Sequence, residues 1–147
     1  MSLAQWHSAL NDFPVALLVA SVAFDLAASG PRRASLQSAA YWSLVAGAGA
    51  AILAAISGLI TAYSVEPTPA FLQTLQTHRV LGLTITALFA ALAGWRIWRK
   101  NVFSVTEQQS YIMAALVGAL VLLWTAHLGG TMVYRHGVGV DVPMEQR

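Results

Sequence analysis

The sequence predicts an all-α fold, a bundle of four helices that cross a membrane alternately up and down. Of its 147 residues, 57% are hydrophobic and only 10% are charged, whereas charged residues make up about a quarter of a soluble domain. Four apolar stretches, residues 13–28, 39–63, 80–98 and 111–133, approach or exceed the roughly 20 residues that span a hydrocarbon core. We therefore expect a single transmembrane domain over residues 1–147, with helices at about 13–29, 38–64, 78–99 and 110–134.

The first predicted helix is the shortest of the four. Asp12 is placed as its N-cap, and Pro14 then falls in the first turn, where its missing N–H costs little. Asp25 lies near the other end, where it is expected to reach water or to pair with Arg32 or Arg33. Because no basic segment precedes this helix and no clear cleavage site follows it, it is not interpreted as a removable signal peptide.

The second predicted helix carries a face of small residues. Gly47, Ala51, Ala55 and Gly58 recur at spacings of four and three, so they lie on one side of a helix. Such a face lets a neighbouring helix approach closely. It would also make room for a flat cofactor, and the sequence does not separate the two interpretations.

The third and fourth predicted helices both carry histidine towards the same end. Residues 71–77 are expected to form a short helix on the membrane surface, and His78 then opens the third helix. That helix ends at Trp95, Arg96 and Trp98, an arrangement typical of an anchor at the membrane surface. The fourth helix stays apolar as far as His127, which helical rise places several ångströms inside the boundary.

The basic residues predict the orientation, because short cytoplasmic loops carry an excess of Lys and Arg. One side has Arg32, Arg33, Arg96, Arg99 and Lys100, and the other has Arg79, Arg135 and Arg147. Both termini are therefore expected in the periplasm, with the chain in a bacterial inner membrane. The net charge of +2 follows from these loops and requires no nucleic-acid partner.

All four histidines, His7, His78, His127 and His136, fall on the predicted outer side. The chain has no cysteine, which excludes disulfides, thiolate metal sites and covalent haem attachment. A metal would have to be held by histidine, carboxylate, methionine or backbone. His127 and His136 are separated by about half a turn net, so at most one of them shares a site with His78 unless a nearby glycine breaks the helix.

Three motifs carry a resemblance to a known family. His7 is followed six residues later by Phe13-Pro14, His78 opens a helix, and residues 129–140 read GGTMVYRHGVGV. The chain resembles the DUF2231 family of predicted bacterial four-helix membrane proteins. Members often have His-Pro at the start and a histidine just before Phe-Pro. Here Ser8 and Asp12 stand at those positions, which weakens a ligand role for position 12. The family name records no activity, so the resemblance implies fold and topology.

Three function classes remain open, and the first is an electron-transfer subunit that binds haem b. Two histidines on different helices would hold one haem, or all four would hold two. His78 is the expected first ligand, His136 or His127 its partner, and His7 a ligand of a second haem or a hydrogen-bond donor. The remaining expected contacts are Gly129 and Gly130, which would admit the porphyrin, and Tyr134 and Arg135, which would meet its propionates.

The second class is a non-haem copper, zinc or iron site built from His7, His78, His136 and Asp12. The third is a structural or assembly subunit whose histidines satisfy hydrogen bonds at the membrane surface. The chain is expected to lie in a lipid bilayer and to interact with a partner subunit, an electron-transfer protein or a quinone. An oligomer is also compatible with the sequence. Because no nucleophile or dinucleotide motif is evident, catalysis by this chain alone is not expected.

Overall fold

The computed structural model describes residues 2–28, 33–63 and 68–140, and in these residues the secondary structure is entirely helical. The helices are α1 (Leu3–Ala27), α2 (Ala34–Ala62), α3 (Pro69–Trp98) and α4 (Val105–His136). Each is long and apolar enough to cross a membrane. The predicted all-α membrane bundle of four helices is confirmed.

The helices form a closed ring in which neighbours in sequence are neighbours in space. α1 packs against α2 and α4, and α3 packs against the same two helices, so α1 and α3 face each other diagonally. The start of α1, the end of α2, the start of α3 and the end of α4 meet at one end of the bundle, which we call the histidine end. The opposite end carries Asp25 and is called the Asp25 end.

Close packing between α1 and α2 explains the small-residue face of α2. A Cβ added to Gly47 would lie 2.8 Å from Leu18, which is completely buried. Larger apolar side chains such as Trp42 and Leu120 are more than half exposed, on the outside of the ring. A small-residue face where two helices pack closely, together with large apolar side chains exposed on the outside of the ring, suits a bundle surrounded by lipid.

α1 begins much earlier than the sequence analysis expected. Ser2 is the N-cap: its hydroxyl accepts from the Gln5 N–H at 3.3 Å, and the Gln5 side chain accepts from the Ser2 N–H at 2.8 Å. Asp12 is therefore not the cap, and Pro14 lies inside the helix. The reciprocal Ser-x-x-Gln bonds satisfy the first free N–H groups well before Asp12, which explains the early start.

α3 and α4 also run further than predicted at the histidine end. α3 starts at Pro69, so residues 71–77 belong to it, and His78 lies about 13 Å along the helix instead of opening it. α4 continues through Gly129 and Gly130 and stops at Gly137, whose φ of 65° is the left-handed conformation that ends many helices.

At the Asp25 end a buried polar cluster joins three helices. Arg96 of α3 donates to the Asp25 carboxylate of α1 at 2.7 Å, and the Tyr111 hydroxyl of α4 donates to the same oxygen at 3.1 Å. Arg96 also donates to Asn101 at 2.6 Å. The expected pairing of Asp25 with Arg33 is wrong, because Arg33 lies beyond the helix and donates to the Ala27 carbonyl. The other expected partner, Arg32, lies outside the described residues.

Arg96 accordingly is not a surface anchor beside Trp95 and Trp98. The side chains of Arg96 and Asp25 are 4% and 5% exposed. A carboxylate in an apolar interior needs a charged partner. The arginine that reaches it comes from across the bundle, a contact that loop positions in the sequence do not reveal.

Candidate functional site

Two of the four histidines meet inside the bundle at the histidine end. His7 comes from α1 and His78 from the diagonal helix α3, and their ring centroids are 6.5 Å apart with the ring planes at 82°. Both side chains are half-buried. We call them the histidine pair.

The ring of His78 is oriented by a backbone carbonyl. Its Nδ1 lies 3.0 Å from the carbonyl oxygen of Thr125 in α4. Since a carbonyl oxygen only accepts, Nδ1 must carry the proton and donate. In the neutral ring the lone pair is then on Nε2.

The ring of His7 is oriented through a serine. Its Nδ1 lies 2.9 Å from the Ser57 hydroxyl oxygen, and that hydroxyl donates its own proton to the Ala54 carbonyl at 2.9 Å. With its proton on the Ala54 carbonyl, Ser57 accepts from His7, and in this arrangement Nδ1 of His7 is also the donor. Both rings therefore leave Nε2 free to bind a ligand, and both have the Nδ1–H bond that is typical of metal-binding histidines.

Each ring rests against a glycine on a neighbouring helix. A Cβ added to Gly58 of α2 would lie 2.8 Å from Cε1 of His7, and one added to Gly129 of α4 would lie 3.3 Å from Cε1 of His78. Gly130 has nothing within 4 Å of such an atom. Of the predicted glycine pair, only Gly129 lies against a ring of the histidine pair, and Gly58 has the matching role for the other ring.

Two cavities flank the histidine pair, which lines both of them. The smaller, about 120 Å³, is bordered mainly by apolar and small residues of α2 and α3, among them Ala51, Ala55 and Gly82. The larger, about 380 Å³, lies mostly between α1 and α4 and also touches Gly129, Gly130 and Tyr134. Together they give the pair free space of the size that small-molecule ligands occupy, about 300–1,000 Å³.

The polar side chains around these cavities differ between the two sides. Asp12 lines the larger cavity, Arg79 lines the smaller, and Asn11, one helical turn beyond His7, lines both. Neither Nε2 of the histidine pair has a hydrogen-bond partner among the described residues. In this part of the chain no side-chain nitrogen or oxygen is both fully buried and unbonded, so the two Nε2 atoms are accessible from the cavities.

A family model described as a predicted membrane protein, DUF2231, matches residues 5–142. The chain belongs to the DUF2231 family. No curated protein and no solved structure matches it. The matched range contains the histidine pair, its two glycines and the turn that follows α4, so in this DUF2231 protein the whole site lies inside the family region.

The other two histidines of the DUF2231 chain lie away from the pair. His127 is exposed and packs on Trp124 with ring centroids 5.5 Å apart, and His136 is exposed beside Phe71 at 5.2 Å. Because α4 is continuous, the half-turn between them persists. The structure thus brings His7 to His78, and not His136 or His127, which the sequence analysis had ranked ahead of it.

A larger metal-ligand set is not assembled. In residues 2–28, 33–63 and 68–140, no group of three His, Asp or Glu side chains is close enough to hold an ion. Among these residues, His7, His78, His136 and Asp12 do not form such a group. Arg135 is exposed and borders neither cavity, whereas Tyr134 borders the larger one.

Sequence reasoning missed the residues that orient the rings. Ser57 directly precedes Gly58 of the small-residue face of α2, and Thr125 supplies a backbone atom that no side-chain pattern reveals. The Ser-Gly step next to the small-residue face was the one available signal. The helix start was expected after His7, and His7 was expected only as a ligand of a second haem or a hydrogen-bond donor.

Proposed function

We propose that this DUF2231 protein is an electron-transfer subunit of a membrane complex, and that His7 and His78 would hold a haem b. The observation that supports it is the spacing of the pair. A metal–imidazole bond is about 2.0 Å and the ring nitrogen lies about 1.2 Å from the centroid, so two rings that bind one metal have centroids at most about 6.4 Å apart. The observed separation is 6.5 Å.

The surroundings of the pair fit the same group. Both Nε2 atoms are free, both Nδ1–H groups are fixed, and glycines stand where a larger side chain would push the rings. The cavities on either side of the pair offer a mostly apolar lining with Arg79 and Tyr134 as polar contacts for acidic groups. A haem bound there would supply one-electron redox chemistry.

The residues of the chain would hold the group, keep its surroundings apolar and set its ligand strength. Thr125 and Ser57 fix the two tautomers, which also makes each ligand more basic. No soluble carrier domain lies within the family match, so electrons would be exchanged with a partner protein or a membrane quinone. We place the histidine end on the periplasmic side of a bacterial inner membrane, following the distribution of Lys and Arg.

The alternative is a single copper, zinc or iron ion on the same pair, completed by water or another ligand. The ring spacing fits any metal of this size, so it favours both readings equally. Haem is preferred because the cavities extend well beyond the pair on two sides, whereas a lone ion needs no such space.

The test is the visible spectrum of the purified chain, produced with haem available, before and after reduction. A sharp b-type band is expected on reduction, together with a Soret band. His7→Ala and His78→Ala should each abolish or displace this signal in protein that still inserts. His127→Ala and His136→Ala are matched controls and should retain it.

Pure protein without Soret absorption would reject the haem. Metal analysis of the same sample then separates the alternatives. Stoichiometric copper, zinc or iron that is lost in His7→Ala and His78→Ala would support the ion site, and metal-free wild-type protein would support a structural subunit.

A further inference from the structure

The C-terminal turn, residues 137–140, folds back onto the start of α1. Gly137 has φ 65° and Gly139 has φ 76°, both in the left-handed region that favours glycine. The Val138 N–H donates to the Met132 carbonyl at 3.2 Å, and the Val140 N–H donates to the Gly137 carbonyl at 3.1 Å. These bonds fix the direction in which the chain leaves α4.

The second glycine of this turn touches α1 closely. A Cβ added to Gly139 would lie 3.3 Å from Cβ of Ala4 and 3.4 Å from the backbone nitrogen of Gln5. Ending α4 requires only Gly137. The left-handed conformation and the close contact of Gly139 have a different effect, because they hold the turn against the N-terminal part of α1.

Val138 lies between the two glycines and completes the site. It is half-buried, and it borders both the larger and the smaller cavity, as the histidine pair does. Val140, two residues further on, is 51% exposed. The turn therefore directs one valine towards the ligand space and the next one away from it.

We propose that Val138 is a wall of the ligand site and separates the histidine pair from water at the histidine end, with Gly137 and Gly139 as the residues that position it. The same wall would serve a haem, a metal ion or an empty site, so the inference does not depend on the proposed function. Apolar surroundings control solvent access to a metal centre and thereby its chemistry. The Gly-Val-Gly motif is thus assigned to the site.

The test measures how fast diethyl pyrocarbonate modifies each histidine. The full chain is produced without haem and purified with a chelator, so that the Nε2 atoms carry no ligand, and peptides are quantified by mass spectrometry. The exposed His127 provides the internal reference, and the measured quantity is the rate at His7 and His78 divided by the rate at His127. This ratio should be low in the wild type.

Val138→Ala should raise the ratio several-fold, because it removes two methyl groups that border both cavities. Val138→Thr keeps the shape and should leave the ratio low. Val140→Ala is the matched control and should have no effect. Gly139→Ala should raise the ratio without altering Val138, because the new Cβ would push the turn away from Ala4.

An unchanged ratio in both Val138→Ala and Gly139→Ala would overturn the proposal, as would an equal rise in Val140→Ala. A rise in Val138→Thr as large as in Val138→Ala would also contradict it, since shape would then not be what protects the pair. Because no haem is present, a failure here is distinct from the absence of a haem spectrum.

Discussion

The contact between Gly58 and His7 makes a sharp prediction about the substitution Gly58→Ala. The added Cβ would lie 2.8 Å from Cε1 of His7, whereas carbon atoms prefer about 3.5–4.0 Å. The ring, or α1 itself, must therefore move by roughly 0.7–1.2 Å. That exceeds the tolerance of about 0.5 Å within which a binding constellation stays productive.

The expected free-energy change has two opposing parts. Overpacking a close contact costs about 1–3 kcal/mol, whereas Ala in place of Gly favours the helix by up to about 1 kcal/mol. Gly49→Ala, in the same helix, provides the control, because its added Cβ would meet nothing within 4 Å. Gly58→Ala should therefore be about 1–3 kcal/mol less stable to unfolding than Gly49→Ala.

The assay combines unfolding in mild detergent with a haem titration of each variant. Gly58→Ala should bind haem more weakly or show an altered low-spin spectrum, and Gly49→Ala should match the wild type. The neighbouring pair Gly129→Ala and Gly130→Ala repeats the comparison on α4, with the milder effect at Gly129 because its contact is 3.3 Å. If Gly58→Ala behaved like Gly49→Ala in both measurements, His7 could not rest on Gly58 as described.

Three further predictions concern the rest of the bundle. Asp25→Ala should lower the free energy of unfolding by about 3–5 kcal/mol, because it leaves the Arg96 guanidinium buried without its carboxylate. Asp25→Asn should destabilise the protein less. Neither variant should change a cofactor spectrum, since Asp25 lies about 27 Å along α1 from His7. Ser57→Ala should shift the reduction potential of a bound haem by removing the acceptor of His7, with Ser43→Ala in the same helix as the control and the shift read by redox titration. Reporter fusions at position 101 and at the C-terminus should signal opposite sides of the membrane, and signals from the same side would refute the alternating topology.

Much of the fold could be predicted because it follows from one-dimensional properties of the chain. Apolar length and the spacing of small residues specify four spans and the close face of α2, and both agree with the structure. The positions of the helix ends were predicted less well from the sequence. Asp12 and Pro14 resemble a start signal, but the Ser2–Gln5 capping box satisfies the backbone earlier and the helix runs through the proline. The helix therefore starts at the Ser2–Gln5 capping box and not at Asp12.

The prediction of the site depended on where α1 begins. With α1 starting at Leu3, His7 lies inside a helix that faces α3 diagonally, and its ring can meet His78. With a start after residue 12 the same histidine would lie in a loop. Which residues meet across the bundle depends on how α1 and α3 are each rotated about their own axes. That rotation is determined by packing against α2 and α4, so the sequences of α1 and α3 alone do not reveal it. For the same reason the partner of Asp25 could not be found from the loops.

The two polar clusters of the bundle differ in how completely their atoms are bonded, and that difference separates structure from function. At the Asp25 end, the carboxylate, guanidinium and phenol bond to one another, and neither of the two cavities at the histidine end reaches Asp25, Arg96 or Tyr111. At the histidine end, each ring uses one nitrogen to fix its orientation and leaves the other open to a cavity. An apolar surrounding makes an unbonded polar atom costly, so a cluster that serves only to hold helices together should be closed, like that of Asp25. The imidazoles of His7 and His78 are oriented and keep Nε2 open to the cavities, and it is on this difference that our proposal places the function of this DUF2231 protein at the histidine pair.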